Sequence, residues 1–549
     1  MLGRYIFFLS IIFIFNSSNA QIPDCRWVET FGSIGSGANG IFVSSLQLDR
    51  SGNIYVGGDF NNSQLLIGND TLNNPGGSGS GQDLFIAKFN SSGVPIWAKT
   101  RGGSAVGPSF VEDFAVDSNN NLYVIGSFST ASMSFDSSDI QYVDGSGYMA
   151  KFDSSGHLQW LKNVGVGLDR GVSIDISDHG AIYITGLFDN PYFIYNNDTI
   201  FNTGNYGNTI VVRIDGNGNI LWAKHPLGHN SPVSVLTQSN GDVIIIGMYK
   251  DQFVAGVDTL NSVLYAGYVM RMDSLGNFIS SSSFSGTSSL FVFDAILDHT
   301  DNLYITGYFS DTLMFSNDTI ISHGDYDAFF IKYDFTGNEE WVNTIGSYSK
   351  EYGQKLTIDP QGTIYLMGDF RSPTLQLVTT TLFNQSQIVN PLLFADIFIV
   401  AYDSAGNELW ANSIGGDAGD NTGAICADSV NLYVGGNLSP NAILFDCNLP
   451  AYSGGDFFVS KFEYLNTKIS QFLYSPEVSV FPNPFIDEIN ILGVDGSTLQ
   501  MFDITGNLLY ELEVPQKEFR FYPNVATGVY YIKIIIDGHP CTMRVVKVW

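Results

Sequence analysis

A phrase that returns seven times at near-constant spacing constrains this chain's fold more than any other feature. Its first copy reads Asp49-Arg-Ser-Gly-Asn53-Ile-Tyr55-Val-Gly-Gly58-Asp-Phe60, and Gly58 recurs as Gly126, Gly186, Gly247, Gly307, Gly368 and Gly436. Successive copies stand 68, 60, 61, 60, 61 and 68 residues apart. A second phrase alternates with the first: Asp83-Leu-Phe-Ile-Ala-Lys88-Phe-Asn90-Ser-Ser-Gly93-Val-Pro-Ile-Trp97, whose tryptophan recurs as Trp160, Trp222, Trp341 and Trp410. Each phrase sets alternating apolar residues on either side of an Asn/Asp/Ser/Gly turn, the pattern of a β-hairpin. Two hairpins give a four-stranded sheet that cannot bury both faces alone, whereas several such sheets packed radially can.

The copies also predict how such a ring closes. The seventh copy of the second phrase runs Asp456-Phe-Phe-Val-Ser-Lys461-Phe-Glu463 and stops without its tryptophan strand. The missing piece stands at the other end of the chain, as Cys25-Arg26-Trp27-Val-Glu-Thr-Phe-Gly32, similar to Trp97-Ala-Lys-Thr-Arg-Gly102. The expected fold is therefore all-β: a seven-bladed β-propeller over residues 21–463, with the N-terminal strand closing the last blade so that no sheet edge stays open. After a linker at 464–477, alternating strands with turns at Asp495-Gly496, Thr505-Gly506-Asn507 and Asp537-Gly538 predict a small Ig-like β-sandwich at 478–549.

The first twenty residues read as a removable leader. Arg4, an apolar run from Tyr5 to Phe15 and the small-residue site Ser18-Asn19-Ala20 make residues 1–20 a signal peptide. No other apolar run reaches the ~18 residues of a membrane helix, so the protein is expected outside the cytoplasm and not integral to a membrane. Its 24 Lys+Arg against 54 Asp+Glu, a net charge of −30, repel phosphate backbones and argue against nucleic acid as a partner. The four cysteines show no C-x-x-C spacing, which leaves zinc and thioredoxin-like chemistry without support. Cys25 falls in the closing strand and Cys447 in the insertion of the blade it completes, so a Cys25–Cys447 disulfide is hypothesised. Cys426 reads as buried.

The paired phrases, from Trp27 to Phe462, resemble the SBBP-type β-propeller repeat of bacterial exported proteins, with departures at Ile244, Ser280 and Ala401. That resemblance implies an architecture and no single activity. The C-terminal segment resembles the sorting domain of the type IX secretion system of Bacteroidetes. The matching residues are Phe481-Pro482-Asn483-Pro484, Phe502-Asp-Ile-Thr-Gly506, Gly528-Val-Tyr-Tyr-Ile-Lys533 and the tail Arg544-Val-Val-Lys547-Val-Trp549. This second resemblance implies handling by the type IX machinery, removal of residues 478–549, and a product secreted or attached to the outer-membrane surface.

No catalytic constellation stands out. Asp215-Gly-Asn217-Gly-Asn219 and Asp298-His-Thr-Asp301-Asn302 place oxygen ligands at alternate positions, as calcium loops do. They lack the bidentate Glu of such loops, and the same residues make ordinary hairpin turns. Calcium is the one cofactor considered, with the turn reading preferred, and no other is expected. A basic residue recurs in six of seven copies (Lys88, Lys151, Arg213, Arg271, Lys332, Lys461), each two residues before Asp, Asn or Glu. A structural pair on one strand face is expected rather than a charged ring on the channel. The reading is a non-enzymatic binding or adhesion scaffold for glycan or protein. The alternative, a secreted polysaccharide hydrolase or lyase, would show a clustered acid pair with aromatic platforms at one channel entrance.

Overall fold

Glycine-centred turns between short alternating runs produce strands, and no helix, among the described residues of the computed structural model. The structure describes residues 22–464 apart from 35–39, 76–80, 103–106, 137, 144–146, 203–206, 316–317, 387–393, 440, 446 and 448–456. It also describes 479–547 apart from 482–485, 493–497, 503–507, 514–517, 527 and 537–538. The expected signal peptide, residues 465–477 of the linker, and Pro482, Asn483, Pro484 and Gly506 lie outside the described residues. The chain divides into two units, Met1–Tyr464 and Leu465–Trp549.

In the first unit each pair of phrases folds into an antiparallel sheet. Sheet 1 runs in the order Ile41–Leu48, Ile54–Phe60, Asp83–Phe89 and Pro95–Thr100. The first strands of sheets 2 to 7 are Ser109–Val116, Arg170–Ile176, Leu227–Thr237, Leu290–Leu297, Glu351–Ile358 and Asn421–Ala427. Each first strand packs on the first strand of the next sheet, and Asn421–Ala427 packs on Ile41–Leu48. The described sheets therefore form a closed, propeller-like ring. Sheet 7 takes its fourth strand from the N-terminus: Asp24–Phe31 pairs with Phe457–Glu463, with Trp27 opposite Lys461 and Phe31 opposite Phe457. Phe31 is buried, its ring 5.0 Å from both Phe457 and Phe89 of sheet 1. Cys25 and Cys447 are joined in a disulfide with Cα atoms 5.4 Å apart, and Cys426 is free and buried.

Every first strand carries a one-residue register shift at the same place. It leaves Ser44, Glu112, Val172, Val233, Phe293, Gln354 and Gly423 outside the ladder. Opposite each shift stands the repeated glycine. A Cβ there would run into a first-strand carbonyl oxygen, that of Phe42 at Gly58, Phe291 at Gly307 and Tyr352 at Gly368. The glycine is conserved through the copies because a bulged strand must approach its neighbour this closely. Just past the shift, Ser45, Asp113, Ser173, Ser234, Asp294, Lys355 and Ala424 form a belt around a central cavity of 180 Å³. Belt side chains tie adjacent sheets: Asp113 accepts from the Ile174 N–H at 3.1 Å, Ser173 from Val235 at 3.3 Å and Asp294 from Leu356 at 2.9 Å.

The outer edges are tied differently. Trp27, Trp97, Trp160, Trp222 and Trp341 each cover a turn glycine of the following sheet, namely Gly93, Gly156, Gly218, Gly276 and Gly406. Gly93, for example, has φ +82°, a conformation that a side chain would strain. Where Ser280 replaces tryptophan, Arg271 covers Gly337 instead. Trp410 packs against Tyr464, 6.5 Å between ring centroids, at the place where the seventh copy ends.

The second unit has two sheets. One joins Ser479–Phe481, Ile489–Leu492 and Glu518–Phe521; the other joins Leu508–Glu513, Thr498–Phe502, Gly528–Ile536 and His539–Lys547. Ile489, Ile491 and Phe521 from the first meet Leu499, Met501, Tyr530, Ile532 and Ile534 from the second in one core. Phe481 and Gly528 lie on strands, and Lys547 Nζ donates to the Pro523 carbonyl at 3.5 Å.

Candidate functional site

The ring has a back, where turns join first to second strands, and a front, where the first strands begin. At the back, Asp175, Asp178, Gln238, Asp298, His299 and Asp301 help line a depression of 420 Å³. The Asp298 carboxylate accepts from the Thr300 and Asn302 N–H groups at 2.9 and 3.0 Å and from Asn302 Nδ2 and Tyr304 OH at 2.8 and 3.2 Å. Asp215 is held the same way by Asn217 and Asn219. Both carboxylates serve their own turns.

The recurring basic residue does not pair with the acid two residues along. Lys88 Nζ meets Asp49 Oδ2 at 3.0 Å, Tyr55 OH at 2.9 Å and the Ser154 carbonyl of sheet 2 at 3.0 Å. Arg213, Arg271, Lys332 and Lys461 reach the Ser274, Phe335, Ser404 and Ser91 carbonyls of the sheet that follows theirs. The reason is reach: a long side chain on the third strand extends past its own turn to the neighbouring one. Five of the six tie sheet to sheet, while Lys151 meets Asp117 of its own sheet at 3.7 Å.

The front brings together residues from positions that vary from copy to copy. Phe293 is the residue outside the ladder in sheet 5, Tyr308 follows the repeated Gly307, and Phe291 and Tyr352 precede the shifts of sheets 5 and 6. Ring centroids run from Tyr265 to Phe291 at 5.8 Å, on to Tyr308 at 5.1 Å, and from Tyr308 to Tyr326 and Tyr352 at 5.0 and 4.9 Å. Phe293 lies 5.4 Å from Tyr308 and is 37% exposed; the other five rings are half-buried. Burial, with the neighbouring Tyr352 and Tyr326, pushes the Tyr308 hydroxyl up to about 12. His229 stands 5.7 Å from Tyr265 and shares with it a pocket of 180 Å³ that also includes Asp189, Asn230, Ser231 and Met248.

Acids occupy the equivalent positions elsewhere at the front. Asp59 follows Gly58, Asp369 follows Gly368, and Glu112 is the residue outside the ladder in sheet 2. Asp59 accepts from Gln82 Nε2 at 2.6 Å; burial and then the charge of Glu112 push its carboxyl up to about 7. Burial also raises Glu112, against the pull of Arg170, whose Nη1 lies 3.9 Å from it. Asp369 accepts from Gln354 Nε2 at 2.5 Å and from Thr422, while burial pushes it up to about 6. A carboxyl near 7 can hold or release a proton at neutral pH. The front thus joins an aromatic strip on sheets 4 to 6 with an acid pair on sheets 1 and 2. Among the described residues, no three His, Cys, Asp or Glu side chains group to hold a metal ion.

What the phrases share does not include this mouth. The position after the repeated glycine holds Asp59, Ser127, Leu187, Met248, Tyr308, Asp369 and Asn437. Its variability, beside an invariant glycine, is the signal that could have found it.

Residues 479–548 match the family of the secretion system C-terminal sorting domain. The tail therefore implies handling by type IX secretion machinery and a secreted or cell-surface location. The chain is 24% identical to an uncharacterized WD repeat-containing protein of Acanthamoeba polyphaga mimivirus, over 60% of this chain and 29% of that protein, so it spans under a third of that relative's length. Among solved structures, a catalytically inactive virginiamycin B lyase from Staphylococcus aureus aligns at 8% identity and TM-score 0.36, covering 79% of this chain and 99% of that one. PorZ, a surface component of the type IX secretion system of Porphyromonas gingivalis, aligns at 10% identity and TM-score 0.16, covering 95% and 100%. At these scores neither likeness carries an argument about activity. No helix among the described residues is long and apolar enough to cross a membrane.

Proposed function

We propose that the first unit is a seven-bladed, SBBP-type β-propeller that works outside the cell as a non-enzymatic binding scaffold, with its front mouth as the ligand site. The observation that carries this reading is the strip of six aromatic rings across sheets 4 to 6. Ring closure does not require it, since sheets 1 to 3 close with Asp59, Ser127 and Leu187 at the position of Tyr308. Accessible aromatic faces with polar rims suit a glycan, or an aromatic-rich protein contact. Export would proceed in two stages, with loss of residues 1–20 and then of the sorting tail, whose Ig-like fold is part of the same proposal.

One observation favours a second reading, a polysaccharide hydrolase or lyase: the acids Asp59 and Glu112 stand at the same mouth, and the charge of Glu112 adds to the burial that raises the Asp59 carboxyl. A panel of polysaccharides, scored with the full chain both for retention and for new reducing or unsaturated ends, separates the two. Retention of a glycan without cleavage is expected. Cleavage that disappears in Asp59→Asn or Glu112→Gln would establish the second reading, and retention of no glycan at all would contradict the glycan form of the first.

A further inference from the structure

The aromatic strip carries cations in a chain that has few. Lys250 Nζ lies 5.7 Å from the Tyr265 ring centroid and Lys350 Nζ 5.1 Å from that of Tyr326. Arg371 stands beside Tyr352, and its backbone N–H donates to the Lys350 carbonyl at 3.0 Å. Its Nε is buried without a hydrogen-bond partner among the described residues. None of the three is within 4.0 Å of a carboxylate oxygen among those residues. Acids near Tyr352 and Arg371 include Asp325 and Asp369, and Asp189 lines the Tyr265 pocket; Asp369 already accepts bonds from Gln354 and Thr422. With 24 basic residues against 54 acidic ones, three cations at one strip mark local complementarity to an anion.

Resting on the glycan reading above, we propose that the strip binds an acidic polysaccharide, a chain of uronate sugars. Sugar rings would lie on Tyr308, Tyr326 and Tyr352, their carboxylates facing Lys250, Lys350 and Arg371. Stacking supplies a face that every pyranose shares, and the cations select for charge. The pocket between His229 and Tyr265 mixes polar groups with the thioether of Met248, which suits a single sugar better than an aliphatic side chain.

The test titrates the full chain with polygalacturonate and with its fully methyl-esterified form, which keeps the sugar and removes the charge. The ester is expected to bind about tenfold more weakly. K250Q/K350Q should erase most of that difference, and Tyr352→Ala should weaken both polymers. The glutamines remove the charge at two partly exposed positions and keep the first two methylenes, so loss of fold is not expected, and unchanged thermal melting would verify it. Equal affinity for the two polymers would overturn the uronate proposal and leave the glycan reading standing. Polyglutamate binding as tightly as polygalacturonate would overturn it in favour of an acidic protein ligand. Binding of neither polymer would overturn it too, and the wider glycan panel would then decide the underlying reading separately.

Discussion

Removing residues 21–31 is expected to abolish the cooperative unfolding of the ring. The deleted segment is the fourth strand of sheet 7 and the cover of a turn in sheet 1, so its loss acts on two sheets at once. It exposes the edge of Phe457–Glu463, takes Phe31 from between Phe457 and Phe89, and uncovers Gly93. Burying one such phenylalanine is worth about 1.5–3 kcal/mol, and the lost ladder and Trp27 packing add to it. The sum approaches the entire stability of a typical domain, about 5–15 kcal/mol. Cys25→Ser should cost less, about 2–5 kcal/mol, since only the covalent clamp goes and the strand can still pair. Calorimetry of the full chain, the deletion and the cysteine variant checks the ranking. A deletion that melted like the parent would show that the ring does not depend on its N-terminal strand.

The ring should also be more stable near pH 5 than near pH 9. Burial raises the carboxyls of Asp59, Glu351 and Asp420 to about 7, and Asp396 to about 8. A group whose pKa is raised by folding stabilises the fold fully only below its unfolded value. That contribution declines as the pH climbs through the folded value, one pKa unit corresponding to about 1.4 kcal/mol. The loss therefore runs from about pH 4 to pH 8. At the acid end the sign reverses: carboxylates held below their ordinary range by turn bonds, such as Asp273, lose their advantage as they protonate below about pH 4. Asp396 is the sharpest case, because it is fully buried, faces the charge of Asp420, and has one oxygen without a partner among the described residues. Asp396→Asn should raise the melting temperature at pH 9 and leave it nearly unchanged at pH 5. A melting temperature flat from pH 5 to 9 would contradict this account.

Much of the fold was legible because the copies repeat what every sheet needs. The repeated glycine, the tryptophan and the truncated seventh copy each report a contact made between neighbours, and Trp27 at the far end points to its place opposite Lys461. The bulge was not legible. A single extra residue such as Ser44 or Glu112 leaves the apolar alternation almost intact, and only the ladder shows which residue drops out. The partners of the basic column were not legible either, because two-residue spacing marks a shared strand face but says nothing of how far Lys88 reaches. The front mouth was hidden for a different reason. Tyr265 and Tyr326 hold one place in successive copies, Phe291 and Tyr352 a second and Tyr308 a third, and only the packing of sheets 4 to 6 makes them neighbours.

Hydrogen exchange of the full chain with and without polygalacturonate shows whether the front mouth is the ligand site. Ligand-dependent protection is expected at the front of sheets 4 to 6, in the segments around 265, 291–293, 308 and 350–352. Protection at the back, around Asp175, Asp298 and His299, in place of the front would contradict it.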